Sequence, residues 1–538
     1  MRRTALPVVA AVSLALLLPQ QAATATELPT QPLAQGEIQN IGPGMYMSES
    51  NSYQIAENDV PAGLMGRSHT VVAQAQGVSQ AQDAPATRSD LGVFGPSWEA
   101  EFLGGQLNRK LSTGNGAITT TYLDTNESTR YDLTDSVAGA NGGSVNTYKA
   151  QDGSTVVESI TWDDLLGTLK TTVVETLNIN LTTVESGDQA PVDQAGNPIA
   201  AADLKTSFTW KQVGGGGGDN WRVSAVGSKA FKQSTVSYDS VGRVSTVKEP
   251  ARGETPEQSL KVNYATATTA SGSALGDVNG QVKDITLTVD QTVQTLARYS
   301  YDTSGLLRQV SNPAEGSELN AYTYDGSDRV ATATSDNGAR WELTFDGDAV
   351  APQAQETTGT VPDAGSALSG APSISQDEGI TPAASDFSGS EITDPQAYPR
   401  HCSTAVSWMW YQYSGCATKV AHYGWKNPYW KQTPTKAWVI GINGDHCTSA
   451  SDKPGGWDFR AACDSHDYGY GTIGNSYKGY RYYLDRNKGI SVDVAFYNIL
   501  YNNTCPAYFW KGACRSTAYT YYTAVFYFGR PKNGANAT

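Results

Sequence analysis

Two hydrophobic periods divide this chain. Between residues 91 and 349, runs such as "LKTSFTW", "LKVNYATAT", "DITLTVD" and "RWELTFD" alternate apolar with polar positions, which is typical of half-buried β-strands. Stretches rich in Gly, Asn and Asp, including "VGGGGGDN", separate the runs and indicate turns. The pattern predicts an all-β region over residues 91–349.

Late in the chain the period changes to that of an α-helix. In "WDFRAACDSHDYGY", one helical face would carry Phe459, Ala462, Cys463, His466, Asp467 and Tyr470. In "SVDVAFYNILY", residues 491–501, the corresponding face carries Asp493, Phe496, Tyr497 and Leu500. A lone carboxylate on a buried face is costly without a partner, so we expect the two helices to pack with His466 against Asp493.

The remaining segments have little periodicity. Arg2 and Arg3, the apolar residues 5–18 and the small residues before Ala25 predict a secretory signal peptide over residues 1–25. The polar residues 26–90 predict a low-complexity leader or pro-segment. Residues 350–397, rich in Ala, Ser, Gly, Pro and acidic side chains, predict a flexible acidic linker to a domain over residues 398–538.

A short motif recurs within the β-rich region. "YDSVGRVSTV" begins at Tyr238, "YDTSGLLRQV" at Tyr301 and "YDGSDRVATA" at Tyr324. Each copy reads as a strand, a turn that Asp can cap, and a second strand. The motif resembles the YD repeats of the RHS family, which implies hairpins wound into a long sheet. An ordinary β-sheet protein with Tyr-Asp turns is the alternative.

Charge is distributed unevenly. The net charge is −15, yet residues 396–538 carry 15 Lys and Arg against 7 Asp and Glu, or +8, which leaves −23 for the rest. A basic, aromatic-rich module indicates an anionic partner, either a lipid surface or nucleic acid. Intramolecular contact with the acidic β-rich region is a further expectation. The alternative is that each charge excess only keeps its module soluble.

All six cysteines follow residue 400: Cys402, Cys416, Cys447, Cys463, Cys505 and Cys514. An even number in an exported protein predicts three disulfides, with fifteen connectivities open. Zinc binding is the rival, but no two of these cysteines have the short spacing of zinc ligands.

The predicted His466–Asp493 pair is suited to general-base catalysis. The carboxylate would hold one ring nitrogen protonated, and the other nitrogen would take a proton from water. A buried histidine satisfied by a buried aspartate, without catalysis, is the alternative. If Cys447 pairs with Cys463, the loop with Asp445 lies near Asp467, and two carboxylates with loop carbonyls suit Ca²⁺.

The order of motifs adds a resemblance. GDHC, PGGWDF, AACDSHDYGY, SVDVAFY and ACRSTAYTYYTAVFYFG resemble the secreted phospholipase A2 family of actinobacteria and related microbes, over about residues 438–529. The expected fold class is therefore multidomain: an N-terminal all-β YD-repeat-like region and a C-terminal, mainly α phospholipase A2-like domain with disulfides. The implied activity is calcium-dependent hydrolysis of the sn-2 ester of glycerophospholipids.

The resemblance also implies roles for single residues. It implies His466 as general base, Asp493 as its orienting partner, and Asp445, the main-chain carbonyl of His446, and Asp467 as calcium ligands. It further implies the disulfides Cys447–Cys463 and Cys505–Cys514, which leaves Cys402–Cys416 as an extra pair. His446 departs from the family, where an apolar residue is usual.

Function and partners are expectations at this point. The leading one is a secreted, extracellular phospholipase A2 that contacts its membrane or micelle substrate peripherally and binds no nucleic acid. A Tyr- and Lys/Arg-rich stretch, residues 470–488, could contact lipid or be an ordinary solvated loop. The alternatives are an RHS-like secreted toxin with a lipase effector and a non-catalytic cell-surface or carbohydrate-binding adhesin. Lysolipid product would separate the enzyme from the adhesin.

Overall fold

A computed structural model shows a large β-rich region followed by a small helical domain. The residues that it describes are 36–73, 82–83, 86–96, 98–179, 193, 197–214, 220–251, 256–313, 317–334, 340–357, 380–382, 409, 428–442, 446–447, 450–472 and 489–526. Among these residues, no helix is long and apolar enough to cross a membrane. The same ranges contain five short 3-10 segments between the regular elements: Ala62–Leu64, Ala140–Gly142, Ala201–Asp203, Pro454–Gly456 and Cys505–Ala507.

The first sheet is antiparallel and has six strands. Its strands are β1 (Ile38–Ile41), β2 (Gly44–Met47), β3 (Ser52–Val60), β4 (Met65–Val72), β5 (Gln82–Asp83) and β6 (Glu99–Glu101). Consecutive strands pair from β1 to β5, and β6 pairs with β4. The structure thus differs from the expectation of a low-complexity leader over residues 26–90, because most of its described part is folded into this sheet.

Buried polar residues explain why the alternation of apolar and polar positions did not predict the first sheet. Strand β4 buries Arg67 and His69 completely, so its inward positions do not read as apolar. The Arg67 guanidinium donates hydrogen bonds to both carboxylate oxygens of Asp59, at 2.8 and 3.0 Å, and to the Tyr322 hydroxyl. Pairing of this kind is what allows a charge to be buried.

In the described residues, the second sheet is a long antiparallel meander of eighteen strands, each paired with the next along the chain. They are β7 (Arg109–Gly114), β8 (Ala117–Tyr122), β9 (Ser128–Ala138), β10 (Ser144–Lys149), β11 (Thr155–Asp163), β12 (Thr168–Thr176), β13 (Thr206–Gln212), β14 (Trp221–Ser228), β15 (Ser234–Tyr238), β16 (Val244–Glu249), β17 (Gln258–Tyr264), β18 (Val282–Val289), β19 (Thr292–Tyr301), β20 (Leu307–Asn312), β21 (Ser317–Tyr324), β22 (Val330–Thr334), β23 (Arg340–Thr344) and β24 (Gln353–Glu356). The all-β prediction for this region is confirmed. The expected linker start at residue 350 differs from the structure, since β24 still belongs to the sheet.

The three Tyr-Asp motifs share one hydrogen-bond pattern. In the first, the Tyr238 hydroxyl donates to the Val223 carbonyl at 2.6 Å, and Asp239 Oδ1 accepts the turn N–H groups of Val241 and Arg243. The Arg243 side chain closes the turn on Asp239 Oδ2. The other copies repeat this through Tyr301, Asp302 and Arg308, and through Tyr324, Asp325 and Arg329. The motif therefore ties each hairpin to a neighbouring strand; kinship with the RHS family stays a prediction.

The helical domain follows a small sheet of β25 (Ile380–Pro382), β26 (Pro428–Gln432) and β27 (Trp438–Ile442). Its helices are α1 (Arg460–Thr472), α2 (Gly489–Asn503) and α3 (Lys511–Ala524). The disulfides Cys447–Cys463 and Cys505–Cys514 are present as expected. Cys402 and Cys416 lie outside the described residues.

Helices α2 and α3 pack directly on the β-rich region. The Tyr497 hydroxyl donates to the Gly104 carbonyl at 2.6 Å, across 393 positions of sequence. At the start of α3, the main-chain N–H groups of Lys511 and Gly512 donate to the two carboxylate oxygens of Glu127, at 2.8 and 2.9 Å. An anion suits a helix N-terminus because the helix dipole is positive there. The two regions consequently share one apolar core.

Glu101 is a buried acid at this junction and should make stability depend on pH. Burial raises its pKa to about 7, against the opposing effects of Arg515 and of a hydrogen bond from Ser68. The unfolded chain releases this proton near 4.5, so the stabilisation is complete below pH 4.5 and is lost as the pH rises to 7. The parent protein should therefore lose about 3 kcal/mol of its free energy of unfolding as the pH rises through this range. Glu101→Gln has no proton to release at this position and should not show that loss.

Urea unfolding of the full chain at pH 5 and pH 7.5, with and without Glu101→Gln, measures this difference. Comparing the two proteins cancels the contribution of the other titrating groups. The same pH dependence in both proteins would show that the Glu101 proton is not linked to folding.

Candidate active site

Helix α1 presents the face that its spacing predicts. Phe459, Ala462, Cys463 and His466 are all buried. Asp458 starts the helix: its Oδ1 accepts the N–H of Arg460 at 3.2 Å, as a capping carboxylate does. Phe459 then packs edge-on against the ring of Tyr521 at 5.1 Å, which fixes the start of α1 against α3.

Helix α2 presents a matching face to α1. Asp493, Phe496, Tyr497 and Leu500 are each at most 2% exposed. The His466 imidazole lies against the Phe496 ring, with centroids 4.9 Å apart. Its Nε2 is 3.0 Å from Asp493 Oδ1, so the two side chains that the helical pattern brought together are hydrogen-bonded.

The other ring nitrogen of His466 faces a different carboxylate. Nδ1 lies 3.9 Å from Asp467 Oδ1, and the Asp467 side chain is 21% exposed whereas that of Asp493 is fully buried. The imidazole is thus held from the buried side by Asp493, and its Nδ1 lies towards the carboxylate that water can reach. This is the arrangement that a histidine acting on a water molecule requires.

Burial and the two neighbouring carboxylates have opposite effects on the pKa of His466. Burial lowers the pKa of the imidazole, but Asp467 and Asp493 outweigh it and raise the pKa to about 8. The pair of acids therefore stabilises the imidazolium, which is the form that results when the ring takes a proton from water.

Sequence reasoning missed a second buried cluster behind this site. Asp464 is 1% exposed and pairs with the Lys431 ammonium on β26 and with His446 Nδ1 at 2.9 Å. Gly441 on β27 allows this close packing, because a Cβ there would lie 2.8 Å from Asp464 Cβ. The only sequence signal was a second Asp beside Cys463, and nothing local indicated a lysine on a distant strand as its partner.

The Asp464 cluster ties the loop after β27 to α1. His446 binds Asp464 through its side chain, and Cys447 is disulfide-bonded to Cys463. The hydrogen bond to Asp464 is the main cause that raises the pKa of His446 above its ordinary value. Two consecutive loop residues are therefore fixed on the helix that carries His466.

The described residues include two of the three predicted calcium ligands, His446 and Asp467. The described residues contain no group of three or more His, Cys, Asp or Glu side chains that could hold a metal ion, and Asp445 lies outside them. Of the other expected ligands, Asp467 offers a hard oxygen donor beside His466 Nδ1, which fits Ca²⁺. Tyr470 lies in α1, but its side chain and residues 473–488 lie outside the described part.

Residues 421–529 match the family model for prokaryotic phospholipase A2. This phospholipase A2-like domain includes α1, α2, α3 and both disulfides, and lies inside the expected domain at residues 398–538. The β-rich region lies outside the match.

A curated relative gives the same indication for the phospholipase A2-like domain. A secretory phospholipase A2 from Arthroderma benhamiae is 41% identical over 86 residues, which cover 15% of this chain and 54% of the relative. The chain thus spans about half the length of the relative. Both matches show that the helical domain is similar to phospholipase A2.

Proposed function

We propose that this protein is a secreted, calcium-dependent phospholipase A2 that hydrolyses the sn-2 ester of glycerophospholipids. The observation that carries the proposal is the His466–Asp493 hydrogen bond inside the matched domain, with Nδ1 facing the more accessible carboxylate. Two disulfides and a secretory relative support an extracellular location.

In the proposed reaction, His466 is the general base. Nδ1 takes a proton from a water molecule as the water oxygen attacks the ester carbonyl carbon. Asp493 keeps the proton on Nε2 and stabilises the imidazolium. The same proton then passes from Nδ1 to the departing oxygen of the lysophospholipid, as the bond between that oxygen and the acyl carbon breaks.

Asp445, Asp467 and the main-chain carbonyl of His446 would hold Ca²⁺, which would supply positive charge to the ester oxygen. The loop after β27 carries His446 and Cys447. Its end is held on α1 by the contacts of Asp464 with His446 and Lys431 and by the Cys447–Cys463 disulfide. Such fixed second contacts are what orients weak ligands such as a carbonyl.

Calcium removal gives a direct test. With the full chain and phosphatidylcholine vesicles, we expect equal release of free fatty acid and lysophosphatidylcholine in millimolar calcium and loss of both in excess chelator. Asp467→Asn should raise the calcium needed for half-maximal activity by at least about tenfold, since it removes a charged ligand.

The matched control for this substitution is Asp458→Asn, because Asp458 pairs with Arg460 on the same helix. It should leave the calcium requirement unchanged. Full hydrolysis in chelator would contradict calcium dependence. If folded, disulfide-bonded protein forms no lysolipid, the non-catalytic adhesin is favoured instead.

A further inference from the structure

Strands β9 to β12 extend beyond the core of the meander. In β9, Tyr131 is buried but every residue from 132 to 138 is exposed, and the facing ends of β11 and β12 are exposed as well. We call residues 132–147 and 157–172 the flap. The other flap residues of β10 to β12 are largely half-buried, and an extension that buries so little apolar surface should carry polar side chains at its end.

The end of the flap is apolar instead. The flap tip, residues 162–169, joins β11 to β12, and its leucines Leu165 and Leu166 are 94% and 67% exposed. Trp162 and Leu169 are cross-strand partners directly behind them, each more than 40% exposed. Four large exposed apolar side chains thus lie within eight residues at the end of one hairpin.

The leucines are held outward by an ordered turn. Asp163 Oδ1 accepts the N–H groups of Leu165 and Leu166, at 3.0 and 3.1 Å. The Asp163 carbonyl accepts the N–H of Gly167 at 2.8 Å, and Gly167 supplies the positive φ of +62° that closes the turn. The exposure of the leucines is therefore a property of the folded hairpin.

No other turn described in this sheet carries four such side chains: the neighbouring turn between β9 and β10 has the cross-strand pair Val137 and Val145, exposed 57% and 42%. Val241 and Val293 are 70% and 64% exposed, but each is the only large exposed apolar side chain described at its turn. Single exposed apolar residues are ordinary, whereas a cluster indicates an interaction site.

We propose that the flap tip inserts into the surface of a zwitterionic phospholipid membrane or micelle and anchors the protein there. This inference rests on the proposed function, which places the substrate in such a surface. A hairpin end with exposed apolar side chains suits a soft lipid layer, with two leucines reaching the acyl chains and Trp162 behind them at headgroup level.

Charge decides between lipid classes. Residues 132–172 carry six Asp or Glu against two Lys, and Asp163 and Asp164 lie in the tip itself. An anionic surface would repel these carboxylates, so phosphatidylcholine is the surface that fits. Cations elsewhere in the chain could add attraction to anionic lipid, but that attraction would not depend on the leucines.

Vesicle flotation tests the anchor. The full chain with His466→Asn, so that no lipid is consumed, is mixed with pure phosphatidylcholine vesicles, and its partition coefficient is compared with that of Leu165→Ser/Leu166→Ser. We expect the double substitution to lower partitioning at least about tenfold, since one buried leucine accounts for about that factor. Val241→Ser/Val293→Ser is the matched control and should partition like the parent.

Position in the bilayer gives a second readout. Phosphatidylcholine brominated on the acyl chains should quench the fluorescence of the parent more than that of Trp162→Phe. Equal partitioning of parent and leucine variant, or no difference in quenching, would overturn the proposal. So would a concentration-dependent dimer in sedimentation that the leucine substitutions abolish, because the tip would then be an interface between copies.

The proposal and the proposed function fail separately. Leucine-dependent binding by an unreactive full chain supports the anchor even if no lysolipid is ever formed. Hydrolysis with leucine-independent binding supports the enzyme and removes the anchor.

Discussion

Replacing His466 by Asn should lower the rate of fatty-acid release by about 10²- to 10⁴-fold, the contribution that a positioned general base makes. The side chain is buried and its Nε2 is bonded to Asp493, so the substitution removes the proton-accepting ring; the shorter asparagine amide reproduces the position of Nδ1 but not that of Nε2. The measurement is titration of released fatty acid at saturating calcium and lipid, with circular dichroism to establish folding.

Asp493→Asn should also be strongly impaired, for a different reason. Asparagine presents an amide that can bond Nε2 without its proton, and then Nδ1 carries the hydrogen and cannot accept one from water. It also removes one of the two charges that raise the pKa of His466 to about 8. Asp458→Asn serves again as the control and should stay within about twofold of the parent. Near-parental rates in folded Asp493→Asn would indicate that the pair is only a packing contact.

Gly104→Ala should destabilise the full chain by about 2–5 kcal/mol. Gly104 has φ of +61°, and an added Cβ would lie 2.4 Å from the Tyr497 ring, so left-handed strain and overpacking combine. Its carbonyl also accepts the Tyr497 hydroxyl. Tyr497 is one helical turn after Asp493, so a displaced α2 should lower the rate of hydrolysis by up to about 10²-fold.

Gly116→Ala is the matched control for Gly104→Ala. Gly116 has φ of +69°, and an added Cβ there would meet nothing within 4 Å, so it carries the backbone strain without the clash. It should cost about 1–2 kcal/mol and leave hydrolysis unchanged. Urea unfolding followed by fluorescence gives both values. Equal losses for the two variants would show that the contact with Tyr497 contributes nothing.

Contacts with the β-rich region stabilise helices α2 and α3. An isolated helical domain would expose Tyr497, leave the N–H groups of Lys511 and Gly512 without the Glu127 carboxylate, and leave Arg515 without Asp124. The β-rich region thus supports the helices that carry the candidate site, and activity is best measured on the full chain.

Hydrophobic periodicity alone predicted the type of many single helices and strands and which of their faces are buried. The 3.6-residue spacing placed His466 and Asp493 on the buried faces of α1 and α2, and alternation found strands such as β13 and β17. Each of these predictions depends only on which face of an element is apolar. The resemblance to secreted phospholipases supplied the two disulfide pairings, which spacing left open among fifteen.

Tertiary structure decided the rest. The inward face of β4 is not apolar because its Arg67 is paired with Asp59 and donates a hydrogen bond to the Tyr322 hydroxyl, which is 255 positions away. Asp464 finds Lys431 on another element, and Tyr497 finds Gly104 across 393 positions. The exposure of Leu165 and Leu166 was likewise decided by tertiary structure, since the sequence shows only two leucines between Asp164 and Gly167. A local pattern states that a side chain is apolar or charged; only the packed chain determines what it meets.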